Sequence, residues 1–141
     1  MGIINYNNIA GTFFNNKTLS FIDYKHFNGC LTNVMSRGNY ISSFKNLDYY
    51  DFSTSNNYLE YHFEHNYKGF LLGKIPYINK LNYNLVLGAH GITIKQNNPY
   101  FEFNAGIANL GWGKYRFLRI DFVRSFEQNK NENRIMFGLN L

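Results

Sequence analysis

The chain has 141 residues, of which 45% are hydrophobic, 19% aromatic and 16% charged, and its formal net charge is +5. This length allows one domain or part of one. The basic residues are scattered, whereas a nucleic-acid-binding surface needs a basic stripe with exposed aromatics, so we expect no nucleic-acid partner. The lone Cys30 excludes an internal disulfide and a cysteine-ligated zinc site. No run approaches the ~20 apolar residues of a membrane-spanning helix.

The first 56 residues carry the less regular part of the pattern. Tyr, Phe, Ile and Asn are abundant along the whole chain, and this composition favours strands joined by turns. In chain order we predict a strand at 9–14, a turn at Asn15 and Asn16, a strand at 18–27, a turn at Asn28 and Gly29, loop over most of 30–46, and a short strand at 49–52.

Residues 57–141 alternate more clearly between apolar and polar side chains. We predict five strands here, at 58–65, 83–94, 100–108, 115–125 and 134–141. Their connections are a segment at 70–82 that contains Pro76, turns at 95–99 and 109–114, and a polar loop at 127–133. The chain, 1–141, is therefore predicted to be a single all-β domain, an antiparallel meander of about six to seven long strands.

The strand at 115–125 indicates which environment the sheet meets. One of its faces consists, in order, of Arg116, Leu118, Ile120, Phe122 and Arg124. The other face carries Arg119 and Asp121, close enough to pair. A strand that crosses a bilayer turns apolar side chains to the hydrocarbon, extends cations to the head groups and places charge pairs inside. The predicted strands also approach the roughly 9–11 residues of a tilted membrane strand rather than the about 5–6 of a soluble one. We therefore interpret the chain as the C-terminal part of a transmembrane β-barrel.

The same alternation assigns side chains of the other strands to either lipid or lumen. The predicted lipid-facing residues are Leu59, Tyr61, Phe63, Phe101, Phe103, Ile107, Leu118, Ile120 and Phe122. The predicted lumen network consists of Glu60, His62, Glu64, Glu102, Arg119, Asp121 and Arg134. An interface girdle is expected at Trp112, Tyr115, Arg116 and Arg124. The alternating terminal-strand signal, Ile135, Phe137, Leu139 and Leu141, suits recognition by the barrel assembly machinery through strand addition.

The amino terminus lacks a basic region followed by an apolar one, so no signal peptide is visible. An outer-membrane protein needs such a leader. We therefore expect the chain to be the back end of a longer precursor, with the N-terminal part of the barrel missing.

Four blocks of sequence, 16–29, 58–70, 74–76 and 111–121, resemble a family of bacterial outer-membrane proteins of unknown function. Its members join an N-terminal carboxypeptidase-regulatory-like domain to a C-terminal barrel related to the BamA-type surface antigens. The resemblance implies an all-β fold in the bacterial outer membrane and no particular activity.

In BamA-type barrels a long outer loop folds back into the lumen and carries an arginine–glycine motif. By position, the resemblance assigns the corresponding loop to the segment after His26, Phe27, Asn28 and Gly29. This tetrad has no arginine, and the chain closes on Leu141 rather than on the aromatic residue that usually ends a terminal strand.

The cluster of Glu60, His62 and Glu64 offers the clearest catalytic alternative, because a histidine beside carboxylates can act as a general base. No nucleophile motif accompanies it, and polar rows are ordinary inside barrels. His62 and His65 fall on opposite strand faces, so we expect neither a metal nor a cofactor.

The favoured hypothesis is a non-enzymatic outer-membrane barrel protein with an assembly, transport or scaffold role, and with membrane lipid and the assembly machinery as partners. The alternatives are an outer-membrane enzyme and a soluble, lipocalin-like barrel. The second alternative requires the apolar faces to point inward.

Overall fold

Seven strands form a single, mostly antiparallel sheet that curls into a half-barrel in the computed structural model. The structure describes residues 2–14, 19–36, 41–95, 97–128 and 130–139. The strands are β1 (Ile3–Gly11), β2 (Val34–Ser36), β3 (Tyr58–Asn66), β4 (Asn84–Ile94), β5 (Asn97–Trp112), β6 (Tyr115–Glu127) and β7 (Lys130–Leu139). Their order across the sheet is β1-β3-β4-β5-β6-β7-β2. The predicted all-β fold and its strand number are confirmed.

From β3 to β7 each strand pairs antiparallel with the next along the chain. β1 pairs antiparallel with β3, whereas the short β2 runs parallel to the end of β7. Single 3₁₀ turns lie at Phe21–Asp23, Lys68–Phe70, Leu72–Lys74 and Asn79–Leu81. In the described ranges no helix is both long and apolar enough to cross a membrane.

The amino-terminal predictions were the least accurate. The strand expected at 9–14 is β1, displaced to Ile3–Gly11, because continuous pairing with β3 overrides the weak strand propensity of its asparagines. The strand expected at 18–27 is wrong: Ser20 and Asp23 cap each other around a 3₁₀ turn, and in the described part of that range only Lys25 makes a β-bridge, to Thr54. The turn predicted at Asn15 and Asn16 lies outside the described residues.

The short strand predicted at 49–52 is also wrong. These residues form a turn that is closed by a hydrogen bond from the Ser53 N–H to the Tyr50 carbonyl oxygen, 3.1 Å long. Tyr50 has a φ of 71°, outside the region that strands occupy. Within the described residues 30–36 and 41–46, the predicted loop is confirmed except for β2.

Three connections are shorter than predicted because the strands continue into them. β5 runs to Trp112 through irregular pairings at which Asn109 and Gly111 take positive φ values of 65° and 138°. It also begins earlier than expected, at Asn97. The polar loop predicted at 127–133 is wrong, since Glu127 still pairs with Lys130. The charged residues and glycines at these places predicted loops, but most of the residues belong to paired strands whose ends are exposed to solvent.

Residues 19–36 and 41–54, which we call the covering segment, lie between β1 and β3 in the chain. They pack against one face of the sheet and supply about half of the side chains in its two apolar clusters. One buried cluster consists of Phe27, Phe44, Leu47 and Phe52 from this segment with Ile92, Ile94 and Tyr100 from the sheet. A second consists of Cys30 and Met35 with Val123 and Met136. The segment is also tied to itself, because Phe44 donates its N–H to the Asn28 carbonyl oxygen at 2.8 Å.

We predict that Phe44→Ala strongly destabilises the fold. The Phe44 ring is fully buried, and its centroid lies 4.7 Å from that of His62 and 5.8 Å from that of Tyr100. Its removal should lower the free energy of unfolding by about 3–5 kcal/mol. Urea unfolding followed by circular dichroism measures the change, with the exposed Phe14→Ala as control. Equal midpoints for the two variants would show that the covering segment is not packed as described.

Candidate functional site

The two faces of the sheet have opposite polarity, and the polar face is the buried one. On β6, Arg119 and Asp121 are 5% and 0% exposed, whereas the intervening Ile120 and the following Phe122 are 42% and 50% exposed. We call the face of Arg119 and Asp121, which lies under the covering segment, the inner face, and the opposite one the outer face. Strand alternation therefore places charge inside and apolar side chains outside.

A buried clamp around Arg119 joins three strands of the inner face. The Arg119 guanidinium donates from Nε to Asp121 at 2.6 Å, and from one Nη atom to Asp121 and Glu64 at 2.8 Å each. Asn104 donates its amide to Asp121 at 3.0 Å. Gly106 lies opposite Asp121, and a Cβ there would collide with that carboxylate. The glycine makes room for the clamp.

A second chain of contacts runs from the covering segment across β4 to β3. Lys45 Nζ lies 2.8 Å from His90 Nε2, His90 Nδ1 lies 2.8 Å from His62 Nδ1, and His62 Nε2 lies 2.9 Å from Glu60. The Asn104 side-chain carbonyl oxygen also lies 3.1 Å from His90 Nε2, so this ring nitrogen faces both an ammonium donor and an amide acceptor. His62 donates from Nε2 to the Glu60 carboxylate, which can only accept.

Glu102 anchors the covering segment to the sheet. Its fully buried carboxylate accepts the backbone N–H groups of Lys45 and Asn46, at 2.8 Å and 3.0 Å, and the hydroxyl of Tyr100 at 2.9 Å. The Asn46 side-chain amide also donates to Ser125. Backbone donors therefore satisfy a buried carboxylate that would otherwise be costly.

Cations lie near the buried carboxylates of the inner face. Burial lowers the pKa of the Lys45 ammonium, and the neighbouring Glu102 carboxylate acts in the opposite direction. Lys25 contributes a further cation, 3.6 Å from Glu60. Each buried carboxylate thus has a cation, a hydrogen-bond donor or both beside it.

The predicted lumen residues come together, with one difference. Six of them are buried on the inner face: Glu60, His62, Glu64, Glu102, Arg119 and Asp121. Arg134 does not bind these carboxylates among the contacts described. Its guanidinium donates to the carbonyl oxygens of Cys30 at 2.7 Å and Lys45 at 3.2 Å, and so holds the covering segment.

Most of the predicted lipid-facing residues are exposed on the outer face. These are Leu59, Phe63, Phe103, Ile107, Leu118, Ile120 and Phe122. Tyr61 and Phe101 lie on the same face and are half-buried, with ring centroids 6.2 Å apart. On β7, Ile135 and Phe137 are exposed and Leu139 is half-buried, while Leu141 lies outside the described residues.

The residues predicted to form a girdle lie near the two ends of β6. Trp112 and Tyr115 pair beside the tight β5–β6 turn, and both are strongly exposed. Arg116, close to this turn, donates to the Leu81 carbonyl oxygen at 2.8 Å. Arg124 is exposed near the opposite end of β6.

The tetrad that the resemblance assigned to a lumen loop belongs to the covering segment. Phe27 enters the apolar core, and a Cβ at Gly29 would collide with the Leu47 carbonyl oxygen. His26 Nδ1 lies 2.8 Å from Ser53 Oγ, and that hydroxyl donates to the Tyr50 carbonyl oxygen at 2.9 Å. The tetrad thus fixes the path of the segment over the inner face.

The arrangement offers no open catalytic or metal site in the part of the chain that the structure describes. His62 is 1% exposed, lies under Phe44, and uses both ring nitrogens in contacts with other side chains. The Ser53 hydroxyl already donates to a carbonyl group, so His26 does not act on it as a base. No group of three or more His, Cys, Asp or Glu in the described ranges could hold a metal ion.

Sequence reasoning missed Lys45, Asn46 and His90 as members of this network. His90 lies directly opposite His62, but the long connection between β3 and β4 hides this register in the sequence. Lys45 and Asn46 lie in a region predicted as loop, and only the folding back of the covering segment brings them to Glu102. Glu102 itself was visible as a polar residue within an alternating strand.

We predict that Asp121→Ala destabilises the protein far more than Lys130→Ala. The first change leaves the buried Arg119 without its bidentate partner, which should cost about 3–5 kcal/mol. Lys130 forms a solvent-exposed pair with Glu132, so its loss should have little measurable effect. Urea midpoints of the two refolded variants test this, and equal midpoints would contradict the clamp.

We also predict that Glu102→Ala loosens the covering segment while the sheet persists. The substitution removes the acceptor for the amide N–H groups of Lys45 and Asn46. Hydrogen exchange at these two amides should accelerate by about 10- to 100-fold, the equivalent of one lost charge-assisted hydrogen bond. The exposed Glu132→Ala is the control. Unchanged exchange in the Glu102 variant would disprove the anchor.

Comparison with known proteins relates this fold to a family. The C-terminal domain of a family of unknown function, DUF5686, matches residues 1–107, whereas β6, β7 and the block at 111–121 lie beyond the match. No curated protein and no solved structure matches the chain. Because the matched residues form more than half of the chain, it belongs to the DUF5686 family, as a C-terminal domain.

Proposed function

We propose that the chain forms part of a β-barrel in the bacterial outer membrane, with its outer face in lipid and its inner face toward the barrel interior. The proposal includes the relation to BamA-type surface antigens and the N-terminal carboxypeptidase-regulatory-like domain that the sequence resemblance implies. The role is non-enzymatic and lies in assembly, transport or scaffolding.

The reversed polarity of the sheet carries this proposal. The inner face buries the carboxylates of Glu60, Glu64, Glu102 and Asp121. The outer face exposes Phe103, Phe122 and other large apolar side chains on adjacent strands. In water the opposite arrangement, with apolar side chains inside and charged ones outside, is the more stable one, because it removes apolar area from water. In hydrocarbon the observed arrangement is the favourable one.

Both ends of β6 support the same orientation. Arg116 and Arg124 bracket its exposed apolar residues, where their long side chains reach head groups. Trp112 and Tyr115 project near the Arg116 end, and such aromatics are typical of a membrane–water interface. β6 has 13 residues, which is enough for a tilted strand to cross a bilayer.

The edge of β7 suits the assembly machinery as a partner. Among the described residues, β2 covers this edge only at Phe137–Leu139, so the stretch at 130–136 keeps an unpaired backbone edge. Such an edge accepts an added strand. Ile135 and Phe137 present apolar side chains beside it.

A soluble, lipocalin-like barrel fits the structure less well. That hypothesis requires the apolar faces of β5 and β6 to line an interior, but Phe103 and Phe122 are about half exposed and lie on the outer face. The inner face is instead covered by the segment that carries Phe44 and Lys45, both fully buried. This filling favours a scaffold or a gated passage over a permanently open channel.

Refolding with and without lipid tests the proposal. We expect the chain to gain strand structure and to float with phosphatidylcholine vesicles, where strands of further copies can pair with its open edges, and to remain aggregated in plain buffer. Circular dichroism and flotation on a density gradient measure this outcome. A monomer that folds fully in plain buffer would refute the membrane location.

Ile120→Arg gives a sharper version of the same test, because Ile120 lies near the middle of β6 on the outer face. In a bilayer the substitution should lower the free energy of unfolding by about 2–4 kcal/mol, whereas Asn131→Arg at the hairpin tip should lower it by only about 0–1 kcal/mol. In water an exposed substitution changes stability by only about 0.5 kcal/mol. Equal effects of the two variants in vesicles would contradict the proposed placement.

A further inference from the structure

A groove on the outer face lies between β4, β5 and β6. It encloses about 300 Å³ and is walled by Leu87, Phe103 and Phe122, with Ala105 at its floor and Arg124 at one end. The pairing register explains it: Ala105 lies directly between Leu87 and Phe122 on the neighbouring strands. The methyl group of Ala105 is the smallest side chain of that row, and its larger neighbours stand above it on both sides.

Arg124 is the charged end of this groove, and its guanidinium is available. It lies opposite Phe103 in the register, with its guanidinium carbon 5.2 Å from the centre of the Phe126 ring. Among the residues that the structure describes, no carboxylate forms an ion pair with Arg124. Arg116, near the other end of β6, is instead bound to a backbone carbonyl group.

We propose that the groove binds an anionic, phosphate-bearing lipid, with one acyl chain along Ala105 and the phosphate on Arg124. The inference rests on the membrane location proposed above and specifies which lipid the outer face selects. Apolar walls match the chain, and a guanidinium binds phosphate oxygens through two parallel N–H donors. Free phosphate would use the arginine alone, on an exposed surface where one charge pair contributes little. The apolar groove therefore favours a lipid over an inorganic ion.

Three single substitutions separate the contributions to binding. Arg124→Gln removes the charge and keeps a side chain of related shape, while Ala105→Phe fills the groove and keeps the charge. Lys95→Gln removes one charge from the exposed β4–β5 turn, outside the groove, and controls for general attraction to an anionic surface. All three positions are exposed or lie on the outer face, so the buried clamp is untouched.

The experiment titrates dimyristoyl phosphatidylglycerol into the protein refolded in neutral detergent, with native mass spectrometry to count bound lipids. Phosphatidylcholine of the same chain length and inorganic phosphate are the comparison ligands. We expect phosphatidylglycerol to bind more tightly than the two comparison ligands. Arg124→Gln should weaken the binding of phosphatidylglycerol about tenfold. Ala105→Phe should weaken the binding of both lipids, and Lys95→Gln should leave lipid binding unchanged.

Other outcomes would overturn the proposal. Equal binding of the two lipids would show that the groove has no phosphate site. An Arg124→Gln variant that binds phosphatidylglycerol as tightly as the unsubstituted protein would show the same. Inorganic phosphate that binds as tightly as phosphatidylglycerol shows an ion site without a lipid. Insertion into phosphatidylcholine vesicles without lipid preference refutes only this inference, whereas failure to insert at all refutes the membrane location as well.

Discussion

The neutralisation of buried carboxylates is the constraint on which the rest of this structure depends. Asp121 and Glu102 are both fully buried, and an isolated ionised carboxylate in such a place would be prohibitively costly. Asp121 is compensated within the sheet by Arg119. Glu102 is compensated by the covering segment, through two backbone N–H groups. The covering segment therefore stabilises a buried charge of the sheet in addition to packing against it.

The same constraint explains small residues that would otherwise weaken a strand. Gly106 leaves space for Asp121, and Gly88 does the same for Asn104 on the next strand, since a Cβ at either position would collide with the opposite polar side chain. Strand glycines usually reduce stability because they pack nothing. Here each gives a polar side chain the room to turn along the sheet and reach its partner. The loss in propensity is offset by a satisfied buried hydrogen bond.

How well a feature could be predicted from the sequence depended on the interactions that determine it. Alternation along β6 separated Ile120 from Asp121 correctly, because the side chains of a strand alternate whatever the strand packs against. The local Ser20–Asp23 turn was missed, since a short capping interaction competes with strand pairing and leaves little trace in an apolar pattern. The Lys45–His90 contact could not be predicted at all, because the two residues are 45 positions apart and meet only when the chain between them folds back. Long-range register is a tertiary property.

The directions of the outer strands limit how such a sheet can close. β1, β3, β4, β5, β6 and β7 alternate in direction, so β1 and β7 run opposite ways. An antiparallel closure then requires an even number of further strands, or none. The three-residue β2 runs parallel to β7 and does not extend this alternation. The six antiparallel strands fall short of the roughly eight in the smallest outer-membrane barrels, and hydrocarbon does not tolerate unpaired strand edges. Under the proposed membrane location, strands from a longer polypeptide or another chain must therefore join β1 to β7 in pairs, and the barrel keeps the even parity typical of its class.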